Sequence, residues 1–173
     1  QHIIDVETDA LQKAHPIYDH IVKEGKYKAS GLNILEVGCG TGGNIKALMA
    51  YGTFTAIEMN SYARQIAEDR HNIKIASGSM PDDHPFEPAS FDMIFMLDVL
   101  EHIENDVAVL KELKSLLVPG GKIIITVHAY QFLWSHHDEI HHHFKRYSRK
   151  TIKHSAALAD LGVERISNFN FFL

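Results

Sequence analysis

The sequence predicts an α/β fold, a doubly wound and mostly parallel sheet with helices on both faces. Three observations carry this. Short apolar runs of β type alternate with stretches of helical periodicity along most of the chain, which is the pattern of βαβ units. The run "NILEV" empties directly into a glycine-rich turn, "GCGTGGN", the kind of strand-to-helix turn that seats ligands at the carboxyl edge of such a sheet. The composition, 45% hydrophobic and 23% charged over 173 residues, is enough for one packed core and argues against disorder.

Taken in order, residues 5–27 read as one or two helices lidding the sheet, so that 1–30 form an N-terminal helical lid. "NILEV" (33–37) is a buried strand, followed by a helix through "NIKALMAYG". "TFTAIEM" (53–59) is a second strand, "SYARQIAEDR" (61–70) a helix and "IKIAS" (73–77) a third strand. The proline-bearing "GSMPDDHPFEPAS" is a loop. "FDMIFML" (91–97) supplies a fourth strand, and "ENDVAVLKELKSLL" a helix with apolar residues at 107, 110, 113, 116 and 117. "PGGKIIITVHA" is a turn and fifth strand, 151–161 a helix and 163–173 a sixth strand. The whole of 1–173 is thus expected to be a single domain, with 31–128 its cofactor-binding core, 129–150 a loop on the substrate side and 151–173 the last helix and strand. Gln1 in place of an initiator Met, and an apolar final run with nothing to pair with, lead to the expectation of a longer parent chain with its C-terminal hairpin truncated.

A formal net charge of −5 and the lack of long Lys/Arg runs argue against a chain whose main task is gripping nucleic-acid phosphates. The apolar runs fall far short of the ~20 residues of a membrane span. The one cysteine, Cys39, permits no internal disulfide, which fits the reducing cytoplasm where the protein is expected.

The glycine turn answers to two descriptions. Gly38-Cys39-Gly40-Thr41-Gly42-Gly43 satisfies G-x-G-x-x-G, the turn that holds a dinucleotide pyrophosphate; from Glu36 it reads E-x-G-x-G-x-G. Glu58, at the end of the second strand, suits a ribose in either case. Charge separates them. A carboxylate two residues before the first glycine is a poor neighbour for a dianionic pyrophosphate, whereas S-adenosylmethionine carries a sulfonium and an ammonium and no phosphate. The competing reading makes Glu36 a buried residue bonded to loop amides.

Four segments in order, "LEVGCGTG", "AIEMN", "FDMIFMLDVLEHI" and "LLVPGGKIIIT", make the stretch from about 33 to 127 resemble the class I S-adenosylmethionine-dependent methyltransferases, particularly the small-molecule, type 11/12-like branch with its Rossmann-like fold. The resemblance implies S-adenosyl-L-methionine as cofactor. It implies that Glu36, Gly38, Cys39, Gly40 and Gly42 shape the methionine end, that Glu58 holds the ribose and that Met59 lies along the adenine. Where many members carry an Asp for the adenine amine this chain has Ser79, next to Met80. Leu97 and Asp98 would border the transferring methyl. Leu97 and Met59 also read as core residues that merely end strands, and Cys39 as a small filler of a tight turn, since no clear base stands beside it.

Methyl transfer is an in-line displacement that needs alignment above all, with a base only for acceptors of high pKa. His102, in "LEH", is the first candidate base; a capping role near the next helix is its rival. The segment "HHDEIHHHFKRYSRK" (136–150) should fall on the cofactor's rim. In one reading His137 and His141 chelate a metal with Asp138 or Glu139. In the favoured one Lys145, Arg146 and Arg149 clamp an anionic group, with His143 or Tyr147 near the acceptor, and no metal ligand is assigned. The spacing of Asp138, His143, Arg146 and Tyr147 also resembles a segment of some family members. In the third the segment is a solvated loop. The N/D-P-P-Y motif of nucleic-acid amino methyltransferases is missing from "MLDVLEH", so the expected partner is a small-molecule acceptor, a metabolite, lipid-like or glycosyl compound, and not nucleic acid. Nothing in the sequence sets an oligomeric state. A noncatalytic cofactor-binding or partner-activating module is the alternative, and a nicotinamide oxidoreductase a further one.

Overall fold

The computed structural model describes residues 3–8, 31–140 and 143–168. Among the described residues seven strands form one sheet: β1 (Ile3–Thr8), β2 (Leu32–Val37), β3 (Gly52–Glu58), β4 (Ala76–Ser77), β5 (Phe91–Leu97), β6 (Leu117–Thr126) and β7 (Gly162–Asn168). Their order is β4-β3-β2-β5-β6-β1-β7, and every named pairing is parallel. The helices are α1 (Ile45–Leu48), α2 (Ser61–His71), α3 (Asp106–Leu116), α4 (His136–Ile140) and α5 (Arg149–Leu158).

Period-2 alternation divides the strand side chains between two buried faces, as a parallel sheet covered by helices requires. Leu35, Val37, Ile94, Met96, Ile123 and Ile125 pack on one side with Val109, Leu110, Leu113 and Leu116 of α3 and Ile152 and Ala156 of α5. Ile34, Met93, Phe95 and Ile124 pack on the other with Leu48 of α1, while Ala56 of β3 meets Ala67 of α2. Asn60 opens α2 by accepting from the amides of Tyr62 and Ala63, and Ser148 opens α5 through a capping box with Thr151. Among the described residues no helix is long and apolar enough to cross a membrane.

Several expectations need correction. Residues 5–8 belong to a strand, not to a helical lid; Ile3, Ile4, Val6 and Thr8 are β-branched and suit it, while 9–27 lie outside the described residues. The last predicted strand is seen as β7, which pairs with β1 instead of standing alone and forms one edge of the sheet; 169–173 lie outside the described residues. α1 is shorter than expected. A 3-10 turn (Met49–Tyr51) follows it, and β3 starts at Gly52, where a Cβ would stand 2.0 Å from the Leu32 carbonyl oxygen. β4 shrinks to two residues because the Ile75 amide is turned aside to Glu68 Oε1, 2.9 Å away.

The sheet grows outward from β2 in one direction through β3 and β4 and in the other through β5 and β6. The order reverses between β2 and β5, and the crevice beyond their carboxyl ends is where a ligand of this architecture sits.

Candidate cofactor and acceptor site

The turn after β2 begins with Gly38, at φ +72°, where an added Cβ would lie 2.6 Å from Val99 Cγ2. Val99 follows β5, so the missing side chain lets the two strand exits flanking the reversal close on each other. The Gly38 amide donates to the Ile57 carbonyl, 2.9 Å, drawing the turn toward β3 as well. Gly40 and Gly42 also lie in the left-handed region, at φ +54° and +84°. Cys39 is buried beside Ile45, Ala56 and Ala67. Its thiol is pushed up to about 12 by burial, with Glu36 and Glu58 adding to the effect, which keeps it out of nucleophile chemistry.

Two carboxylates line this turn. Glu58 accepts from the Gly40 amide at Oε2 and from the Asn60 amide at Oε1, both at 2.8 Å. Each oxygen keeps a second lone pair. Glu36 is buried, with Oε1 3.1 Å from Asn44 Nδ2 and Oε2 without a hydrogen-bond partner. Burial raises its carboxyl from an ordinary 4.5 to about 7, Asn44 opposing the rise and the nearby Glu58 reinforcing it. An anionic pyrophosphate finds nothing to favour it in this pair of carboxylates. A cationic ligand does, because a charged donor would satisfy Glu36 Oε2, so S-adenosylmethionine fits the residues present.

Met59, just beyond β3, is 73% exposed, which removes the rival reading of it as core. Beyond β4, Ser79 and Asp83 bond each other's backbone, at 2.7 and 3.0 Å, and Met80 is buried. Leu97 packs against the core under α1. Asp98, at φ +53°, is fastened to β6: its amide donates to Thr126 Oγ1 at 3.0 Å, and the Thr126 hydroxyl donates to Asp98 Oδ1 at 2.9 Å.

The remaining residues gather on the other side of the reversal. His102 ends the 3-10 turn Leu100–His102, is exposed, and its ring lies 4.6 Å from that of His143. His143 is buried, with Nδ1 2.9 Å from Asp138 Oδ1. Asp138 is a hub. Arg146 reaches it bidentately, Nε to Oδ1 at 2.7 Å and Nη2 to Oδ2 at 3.0 Å, and the Ser135 amide donates to Oδ2 at 2.8 Å. Arg146 above all holds the Asp138 carboxyl well below the usual carboxylate range. Arg146 is therefore committed inside the protein, which corrects its place in an anion clamp; Lys145 likewise turns to Asp106, 3.1 Å away. Arg149 is exposed at the start of α5. Of the expected chelators, Asp138 is consumed by these contacts, Glu139 pairs with His136 at 3.1 Å, and His141 lies outside the described residues.

Tyr147 is not brought to the rim. It is 2% exposed and its hydroxyl donates to Asp106 Oδ2 at 2.9 Å; burial raises the phenol far above its ordinary value. Its expected place near the acceptor is corrected to one inside the core shared with α3 and α5. Two residues escaped the sequence reading as actors, Glu101 and His128. Glu101 is fully buried, and His128 Nδ1 lies 2.5 Å from its Oε1, which raises the imidazole's pKa. The only signal was a histidine two positions past the fifth strand's last threonine.

Comparison with known proteins accords with this geometry. The model of the methyltransferase domain family matches residues 35–125. A ubiquinone biosynthesis O-methyltransferase of Idiomarina loihiensis is 29% identical over 131 residues, covering 70% of this chain and 53% of that protein. Fumosorinone synthetase of Cordyceps fumosorosea is 30% identical over 138 residues, 71% of this chain and 3% of its own length. The chain thus spans about half, or far less, of these relatives. Among solved structures, the YcgJ protein of Bacillus subtilis aligns with a TM-score of 0.70 at 16% identity, over 84% of this chain and 68% of that one. Phosphoethanolamine N-methyltransferase 2 of Haemonchus contortus, in complex with S-adenosyl-L-methionine, gives 0.68 at 21%, over 84% and 36%. With the glycine turn, the paired carboxylates and a family match across more than half of its length, the chain belongs to the class I S-adenosylmethionine-dependent methyltransferases.

Proposed function

We propose that this chain transfers a methyl group from S-adenosylmethionine to a small-molecule acceptor in the crevice over the β2/β5 reversal. The observation that carries the proposal is Glu36, a buried carboxylate with an unsatisfied oxygen beside the glycine turn. Glu36 would meet the cofactor's ammonium end, Gly38, Cys39, Gly40 and Gly42 would shape that end, and Glu58 would take the ribose. Met59, Ser79 and Met80 would border the adenine, and Leu97 and Asp98 the methyl. When bound, S-adenosylmethionine supplies an electrophilic methyl carbon on a sulfonium. The chain's own part is to bind, align and keep water out.

On the acceptor side His102 is the exposed imidazole of the cluster and the group that would receive an acceptor's proton. His143 packs edge-on against its ring and is itself held by Asp138, so the base rests on a braced neighbour. The relatives named for ubiquinone biosynthesis support an oxygen acceptor of lipid-like character.

Calorimetric titration tests the cofactor half: S-adenosylmethionine and S-adenosylhomocysteine should bind and NAD should not. At ligand one hundred times Kd, binding stabilises by about 2.7 kcal/mol, a rise of roughly 5–11 °C in Tm for a chain of this size. NAD binding without S-adenosylmethionine binding would overturn the reading. For the acceptor half, His102→Gln should lower kcat by about 10²–10⁴ on a hydroxyl acceptor and leave the cofactor Kd unchanged.

A further inference from the structure

Behind His102, three side chains from separate elements converge. Glu101 comes from the 3-10 turn after β5, His128 from the exit of β6, and His143 from the loop ahead of α5. Each can offer one ligand atom, and these atoms lie within 4.8 Å of one another. We propose that Glu101, His128 and His143 form a binding site for a divalent first-row transition ion of the Zn2+ type. This goes beyond the methyl-transfer reading and does not depend on it.

The first argument is an unmet need. Glu101 is fully buried, and its Oε2 has no hydrogen-bond partner. A buried polar atom left unsatisfied costs about 1–3 kcal/mol, more when charged, and a cation placed among these donors would remove that cost. The second is support around the ligands. Asp138 accepts from His143 Nδ1, fixing the tautomer whose lone pair is on Nε2, and Asp138 is in turn clamped by Arg146 and the Ser135 amide. A carboxylate behind a histidine is the arrangement that orients metal-binding imidazoles.

The donor set names the class of ion. Two imidazoles and one carboxylate suit Zn2+ and its neighbours, whereas Mg2+ and Ca2+ prefer all-oxygen surroundings. Three protein ligands leave a position open to solvent or another ligand, unlike a closed structural site. Tetrahedral bonds of about 2.1 Å set ligand atoms ~3.4 Å apart, so the cluster must draw in by about an ångström. The His128 side chain, 27% exposed, has room to do so. His128 and His143 already face each other, ring centroids 4.7 Å apart.

The test uses the whole chain after removal of metals by a chelator. Titration with Co2+, followed by its visible d–d absorption, and with Zn2+, followed by calorimetry, should give one ion per chain with a Kd of about a micromolar or tighter. Glu101→Gln, His128→Asn and His143→Asn should each weaken binding by about tenfold or more, while His136→Asn leaves it unchanged. Should a variant fail to fold, histidine 15N NMR of the wild type supplies the same answer: Zn2+ should shift the ring nitrogens of His128 and His143. Absence of stoichiometric binding, undiminished binding in folded His128→Asn, or loss of binding in His137→Asn/His141→Asn alone would overturn the site. Because the readout is metal affinity and not methyl transfer, its failure leaves the titrations with S-adenosylmethionine untouched.

Discussion

Glu36→Gln is the substitution that puts the electrostatic reasoning at most risk. Glu36 is 1% exposed, and its carboxyl rises from an ordinary 4.5 to about 7 through burial, against the Asn44 hydrogen bond and with the proximity of Glu58. A folded-state value above the unfolded one means that between pH 4.5 and about 7 the native chain holds a proton which the unfolded chain has released. This group's contribution to stability is therefore present below about pH 4.5 and is lost as pH rises through about 7. At roughly 1.4 kcal/mol per pH unit, the interval amounts to about 3 kcal/mol, or roughly 6–12 °C in Tm for a domain of this size. The substituted amide cannot ionise, so the variant should lack that component of the pH profile. Thermal melts at pH 5 and pH 8, without cofactor, should show the variant gaining about 2.5 kcal/mol on the wild type between the two conditions. The comparison cancels the fixed cost of burying an amide and the titrating groups remote from Glu36, leaving its coupling to Glu58 and Cys39 as part of the difference. In the same variant the rise in Tm on adding S-adenosylmethionine at pH 8 should shrink or vanish. Parallel pH profiles would refute the buried carboxylate, and an undiminished cofactor shift would refute its part in binding.

Gly38→Ala should cost about 1–3 kcal/mol and weaken cofactor binding, because the new Cβ stands 2.6 Å from Val99 Cγ2 at a positive φ. Adding Val99→Ala should restore part of the loss in denaturant unfolding, and no recovery would mean that the contact does not set the requirement for glycine. Tyr147→Phe removes one of three donors to Asp106 and should lower stability by about 1–2 kcal/mol with kcat retained; a hundredfold drop in kcat would return the phenol to the acceptor. Leu113→Ala, at a fully buried position of α3, should destabilise by about 2–5 kcal/mol in urea melts with the cofactor Kd unchanged.

Apolar periodicity located β2, β5 and β6 because these strands are buried on both faces over most of their length and read as near-continuous runs, and β3 because its last three residues are buried in the same way. It failed at β1, where a short strand sits at the head of a stretch that has helical spacing when read as a whole. It overextended α1 and β4, since neither the crowding of Gly52 against Leu32 nor the diversion of the Ile75 amide to Glu68 leaves a mark on hydrophobic pattern. Glu36, Glu58 and the glycines were legible for a different reason. Their positions are dictated by two strand ends and a turn, all close in sequence.

The cluster around 98–106 and 128–150 was harder to read because its geometry is held by distant pairs. Glu101 and His128 are 27 positions apart, and Tyr147 and Asp106 are 41 apart. Histidine density drew attention to 136–143, yet the structure spends Asp138 on Arg146 and turns Tyr147 inward, where irregular backbone has no period to reveal a face. Asp106 shows what this wiring does. Burial alone would raise its carboxyl, but hydrogen bonds from Ser155, Lys145 and Tyr147 outweigh burial and hold it below the usual range. Those donors come from α5 and from the segment leading into it, while Asp106 opens α3. A carboxylate that accepts from three donors ties the segment ahead of α5 to α3 and α5. Asp138 does the same for the part ahead of it, joining Ser135, His143 and Arg146. The two carboxylates thus brace the segment at both ends, and His143, held by Asp138, in turn packs against the ring of the exposed His102, which is the kind of preorganisation that the proposed acceptor role of His102 would need.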